Sequence, residues 1–147
     1  MPAAPRELVL QFEVKSHADP ELATRTVEAL AAALAGAARR RVEVLSFASA
    51  ACARAASLGL PARLVIWADY APQALARWAV RYRVVGACVE HFLLSRPLIA
   101  ALSRDELSVT TGTVNDAALL RRVAALGVDA VTTDDPAALR ARLAAAA

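Results

Sequence analysis

Six times along this chain an apolar, β-branched run gives way to a turn signal and then to an Ala/Leu-rich amphipathic stretch. The runs cover 8–15, 42–47, 63–68, 84–90, 107–114 and 128–133, and the helical patterns between and after them cover 21–37, 50–57, 72–82, 96–103, 117–125 and 137–146. The run starts at 42, 63, 84, 107 and 128 lie 21 to 23 residues apart, the period of a compact βα unit. Strands that alternate with helices predict a mostly parallel sheet with right-handed crossovers. That leaves an open doubly wound sheet or part of a barrel. The glycine-rich phosphate fingerprint of a dinucleotide fold is missing, since none of the five glycines lies in a GxGxxG arrangement.

Local punctuation agrees. Asp19-Pro20-Glu21 reads as a cap, a proline at the first helical position and an acidic first turn. Asn115-Asp116 and Asp135-Pro136 read the same way, and Gly59 and Gly127 fall where helices should stop. Without a linker or a second composition regime, residues 1–147 are expected to form one domain.

Composition then removes whole classes of function. At 58% hydrophobic residues the chain can bury a core, so disorder is not expected. No apolar run approaches the roughly 18–20 residues of a membrane span. No basic start followed by an apolar run opens the chain, which predicts a cytoplasmic protein. The formal charge is only +3, and dense basic groups are confined to Arg39-Arg40-Arg41 and to Arg77, Arg81 and Arg83, so no nucleic-acid partner is expected. Cys52 and Cys88 have no CxxC spacing and read as two buried thiols in a reducing compartment.

The first run carries the most chemistry. Leu10, Phe12 and Val14 point one way along a strand, and Gln11, Glu13 and Lys15 the other. A parallel strand buried on both faces would be apolar on both. A second face that turns polar towards the C-terminal end fits a barrel with a site at that mouth. There Glu13 could hold a hard divalent cation and Lys15 could neutralise a phosphate as a point charge. The plainer reading of the same two residues is an ordinary Glu–Lys pair on an exposed strand face. In the fifth run Thr111, Thr113 and Asn115 are expected to share a face, and the last run also turns polar, at Thr132-Thr133-Asp134-Asp135. Asn115 and Asp135 have a competing role as helix N-caps. His17 follows the first run, and Glu90-His91 ends the fourth. Each imidazole is more simply a loop residue than an acid–base group.

These runs also carry a resemblance. Leu8-Val9-Leu10-Gln11-Phe12-Glu13-Val14-Lys15 resembles the third strand of the glycerophosphodiester phosphodiesterases, with its Glu-x-Lys. Val44-Leu45-Ser46-Phe47 resembles their fourth-strand Ser-Phe motif. Thr110 to Asp116 is similar to their seventh-strand Trp-Thr-Val-Asn motif, with Gly112 at the aromatic position. Gly127 to Pro136 resembles their closing Gly-Val-Asp-Gly-Ile-x-Thr-Asp-x-Pro. The order and spacing of all four agree.

The resemblance implies an α/β fold, TIM barrel-like and incomplete, whose six βα units correspond to strands three to eight. It implies a divalent cation, magnesium or calcium, with Glu13 as a metal ligand. Lys15 would lie beside metal and phosphate, and Ser46 near the pocket with Phe47 packing beneath it. The implied substrate is a glycerophosphodiester, cleaved in lipid metabolism to glycerol 3-phosphate and an alcohol. The family's His-Arg-Gly, Glu-x-Asp and His-Asp motifs have no counterpart here, and neither His17 nor His91 matches them. The expectation is therefore an N-terminally truncated domain with no assigned catalytic residue and no hydrolysis of its own. Its alternative is a non-catalytic ligand-binding or assembly module that self-associates through open barrel edges.

Overall fold

The computed structural model describes residues 8–15, 19–34 and 36–144. Six parallel-type strands alternate with six helices. They are β1 (Leu10–Val14), α1 (Pro20–Ala33), β2 (Val42–Ser46), α2 (Ser49–Ser57), β3 (Ala62–Ile66), α3 (Pro72–Tyr82), β4 (Gly86–Glu90), α4 (Arg96–Arg104), β5 (Ser108–Gly112), α5 (Ala117–Leu126), β6 (Ala130–Val131) and α6 (Pro136–Ala144). The order of strands in the sheet is their order in the chain. Among the described residues no helix is long and apolar enough to cross a membrane.

Capping explains most boundaries. The Asp19 carboxylate accepts from the N–H groups of Glu21 (3.0 Å) and Leu22 (2.9 Å), and Pro20 opens α1. Ser95, Asp116 and Asp135 cap α4, α5 and α6 in the same way. Helix α5 stops at Gly127, which takes φ 97°, a left-handed conformation that a side chain would resist. Helix α1 is shorter than its pattern suggests. Leu34 turns extended, and Gly36–Arg41 forms a 3-10 turn in place of the last helical residues.

The chain divides into two compact units, Met1–Leu64 with Arg81–Val85, and Val65–Val80 with Gly86–Ala147. In the first unit β1 pairs with β2 and β2 with β3, both parallel, with Glu13 opposite Leu45, Val14 opposite Ser46 and Leu45 opposite Arg63. One sheet face is closed by Val27 of α1 and Ala51 and Ala55 of α2, packed over Val14, Val42 and Val44. The other face is polar, as the alternation in β1 predicts: it carries Gln11, Glu13, Glu43 and Arg63. In the second unit β4, β5 and β6 pair in parallel, with Glu90 opposite Gly112 and Thr111 opposite Val131. Its core holds Val89, Leu102, Val109 and Val123.

Candidate functional site

In a parallel α/β sheet the groups that can meet a ligand stand at the C-terminal strand ends. At the end of β1 the Lys15 ammonium lies 3.2 Å from Oε2 of Glu13. The predicted pair forms, and both members stay in reach of water, with the two side chains 76% and 34% exposed. One step further down the same face the sheet is dry. Glu43 accepts from Arg63 through Nε (2.8 Å) and Nη2 (3.2 Å), and Gln11 donates to Glu43 at 2.7 Å. The two charged residues are about nine-tenths buried; Glu43 stands opposite Gln11, one step below Glu13, and Arg63 stands opposite Leu45 in the row of Glu13, so this bidentate pair forms the floor beside and below Glu13. Sequence reasoning passed over that floor. Its one trace was a charged residue inside each of two otherwise apolar runs.

Ser46 sits at the end of β2 and is fully buried. Its hydroxyl donates to the carbonyl of Val14 (2.8 Å) and accepts from the N–H of Ala48 (3.1 Å). It thereby ties the end of β1, next to Lys15, to the first turn of α2. Beneath it the Cys52 thiol contacts the carbonyls of Ser46 and Arg63, and burial pushes its pKa up to about 12. Cys52 is therefore the buried thiol that the sequence predicts. Cys88 is only half-buried, which corrects the expectation of two buried thiols.

In the second unit the ends of β5 and β6 are stitched by one amide. Asn115 donates through Nδ2 to Asp134 (2.7 Å), and its Oδ1 accepts from the Thr133 hydroxyl (2.9 Å) and the Asp134 N–H (3.0 Å). Asp135 caps α6, as one reading of it held, whereas α5 is capped by Asp116 and not by Asn115. The expected common face of Thr111, Thr113 and Asn115 does not exist. Thr111 is fully buried and donates to the carbonyl of Val89 (2.6 Å), while Thr113 and Asn115 are exposed, because β5 ends at Gly112 and the alternation ends with it. At Gly112 an added Cβ would stand 2.6 Å from Cβ of Thr132. No side chain of any kind fits there without moving Thr132.

His91 follows β4 and meets Phe92 edge to face, with ring centroids 5.5 Å apart. Its Nδ1 is buried and has no hydrogen-bond partner among the described residues. Trp67, Tyr70 and Phe92, just past the ends of β3 and β4, are 59%, 45% and 64% exposed, and nothing in the alternation had marked them. A small cavity between these loops is lined by Ala68, Asp69, Tyr70, Leu93 and Ser95. His17 lies outside the described residues.

A cation needs several oxygen donors. Among the described residues no group of three or more His, Cys, Asp or Glu side chains stands together. Glu13 offers one hard oxygen donor that already holds a positive charge, the Lys15 ammonium. Such a carboxylate fits magnesium in the limited sense that magnesium keeps waters and completes its shell with substrate phosphate.

A parallel sheet whose strands follow chain order, with a helix after each strand, defines the βα-barrel class. With six units the fold is TIM barrel-like and incomplete. Within that class, the profile of the Glycerophosphoryl diester phosphodiesterase family matches residues 6–138, and the chain belongs to this family. Solved structures agree with the fold. A glycerophosphodiester phosphodiesterase from Parabacteroides distasonis superposes with a TM-score of 0.78 at 22% identity, over 94% of this chain and 58% of that one. A phosphodiesterase from Oleispira antarctica, solved in complex with the product sn-glycerol-3-phosphate, gives 0.70 at 17% identity, over 84% and 51%. The glycerophosphodiester phosphodiesterase from Thermotoga maritima gives 0.62 at 16%, over 89% and 56%. The chain thus spans between half and three-fifths of the length of these proteins. No curated protein matches it.

Proposed function

We propose that the chain is a glycerophosphodiester phosphodiesterase-like protein that binds the phosphate of a glycerophosphodiester at the end of β1 and does not cleave it unaided. One observation carries this reading: an ammonium and a carboxylate stand 3.2 Å apart on the polar face at a C-terminal strand end. Lys15 neutralises a phosphate oxygen as a point charge. Glu13 contributes one oxygen to a divalent cation, magnesium or calcium, which when bound stabilises charge on the phosphoryl oxygens. Ser46 acts through the backbone it holds, fixing the carbonyl of Val14 beside Lys15. Hydrolysis also needs a group to deprotonate water and another to protonate the leaving alcohol. Neither His17 nor His91 stands in the motifs that would supply them.

The test is paired. The 147-residue chain is titrated with sn-glycerol 3-phosphate in the presence of magnesium, and separately assayed for alcohol release from a glycerophosphodiester. Saturable binding that weakens in Lys15→Met, with no alcohol released, is the expected result. Steady turnover would overturn the non-catalytic part, and no binding would overturn the whole reading.

A second reading, an assembly module, is favoured by β1 itself. It is the first strand in the sheet order, and Leu10 and Phe12 remain 42% and 41% exposed on the face that packs elsewhere against helices. A second copy of the chain pairing along this strand would cover them. A strictly monomeric elution at high concentration would remove this reading.

A further inference from the structure

We infer that the loops after β3 and β4 bind an organic ammonium group, held by the Asp69 carboxylate and the rings of Trp67, Tyr70 and Phe92. All four residues belong to the second unit, and the inference does not rest on the phosphate reading at the end of β1. Strands β3 and β4 are neighbours in the sheet, so the segments that follow them leave it side by side. A small cavity marks where they meet: Asp69 and Tyr70 line it from one segment, Leu93 and Ser95 from the other. Trp67 and Phe92 each stand next in the chain to a lining residue, Ala68 and Leu93. The three aromatic side chains are all exposed.

Two features of this surface select the sign of its ligand. The first is charge. Residues 65–71 and 86–95 contain two carboxylates, Asp69 and Glu90, and no lysine or arginine. Neither carboxylate has an ion-pair or hydrogen-bond partner among the described residues. The second is the aromatic cluster. Single apolar residues scattered over a surface are ordinary, whereas three on adjoining loops make a contact surface. The face of an aromatic ring is electron-rich and attracts a cation. Carboxylate and rings therefore favour a ligand of the same positive sign, and both repel an anion.

The kind of cation follows from the donors present. A hard metal ion needs about six oxygen ligands. Among the described residues no group of three or more ligating side chains stands together. An organic ammonium carries its charge on apolar carbon groups, so it needs one counter-charge and several apolar or aromatic faces. Asp69 supplies the first, and Trp67, Tyr70 and Phe92 supply the second. A neutral molecule of the same shape leaves the carboxylate unanswered, and a hydrated inorganic cation gains little from the rings. Each exposed ring contact contributes about two- to fivefold in affinity, so the site binds an isolated ammonium with a Kd of about 1–10 mM.

An NMR titration of the 147-residue chain with tetramethylammonium chloride tests this. The controls are sodium chloride at equal ionic strength and tert-butanol, a neutral molecule of similar shape. The expected result is a saturable shift of the Trp67, Tyr70 and Phe92 resonances, with either control at least about fivefold weaker. Trp67→Leu keeps an apolar side chain without the ring, and Asp69→Asn keeps the shape without the charge. Each should weaken binding about two- to fivefold with circular dichroism unchanged, and Trp67→Phe should retain it. Equal binding of tert-butanol would reduce the patch to an apolar contact. Equal shifts with sodium chloride would reduce it to screening of Asp69, and shifts that never saturate or that fall on other residues would mean there is no site. Any of these three outcomes overturns the inference. Binding of sn-glycerol 3-phosphate is measured separately and bears only on the reading of Glu13 and Lys15.

Discussion

Asn115 and Asp134 meet side chain to side chain, Nδ2 to Oδ2 at 2.7 Å, and through this contact the loop after β5 is fastened to the loop after β6. The same amide oxygen accepts from Thr133 and from the Asp134 backbone, so one residue satisfies three groups on the neighbouring loop. The motif asparagine adds side-chain contacts beyond the two backbone bonds, Val114 N–H to Thr132 O and Thr132 N–H to Thr111 O, that already join these segments past the two-residue β6. Asn115→Ala should therefore lower stability by about 1–2 kcal/mol, a few modest exposed hydrogen bonds. Urea unfolding checks this, with Asn115→Asp as a partner variant that keeps the two acceptor contacts and places a carboxylate against Asp134.

The floor of the first unit makes a larger prediction. Arg63→Met leaves the Glu43 carboxylate buried with Gln11 alone among the described residues to satisfy it, and should cost about 3–5 kcal/mol. Replacing both partners, Glu43→Leu with Arg63→Met, should recover most of that loss, because the desolvation cost of two charges disappears together. Denaturant midpoints of the single and double variants decide it. If the double variant is as unstable as the single one, the pair matters for its shape and not for its charge.

Gly112 predicts a steric effect. Gly112→Ala places a Cβ 2.6 Å from Cβ of Thr132, and overpacking of this kind costs about 1–3 kcal/mol. In a Thr132→Gly background the same substitution should cost much less. Thermal melts of the four proteins provide the cycle.

Cys52 predicts both a reactivity and a pH profile. Its thiol pKa is pushed up to about 12 by burial, against 9.0 for the free group. At pH 8 a thiol reagent should therefore modify Cys88 in the native protein and reach Cys52 only after denaturation. The sign of the linkage follows from the raised value. Between pH 9 and 12 the unfolded thiol loses its proton while the folded one keeps it, so this contribution is intact below pH 9 and declines as pH rises towards 12. Cys52→Ala should flatten that part of the curve, at the cost of a small cavity that lowers stability at every pH.

The alternation of Gln11, Glu13 and Lys15 against Leu10, Phe12 and Val14 was enough to place Glu13 and Lys15 on one face at a strand end, because side-chain direction in a strand has period two. The caps at Asp19 and Asp135 and the stop at Gly127 were equally legible, because each depends on groups within three residues of itself. The same rule failed at Thr111, Thr113 and Asn115, where β5 stops at Gly112 and the periodicity no longer applies.

What the sequence by itself determined is local and periodic: six βα units, their polar ends, the helix caps and a motif series shared with one family. What only the tertiary structure decided is which distant groups meet. Arg63 lies 20 residues from the Glu43 it neutralises, and Asn115 lies 19 from the Asp134 it holds. The space denied to a side chain at Gly112 is set by Thr132, just past the end of the neighbouring strand β6. The physical reason is the register of parallel strands. It brings residues together across a whole intervening helix, and nothing in the local pattern of either strand records which residue will stand opposite.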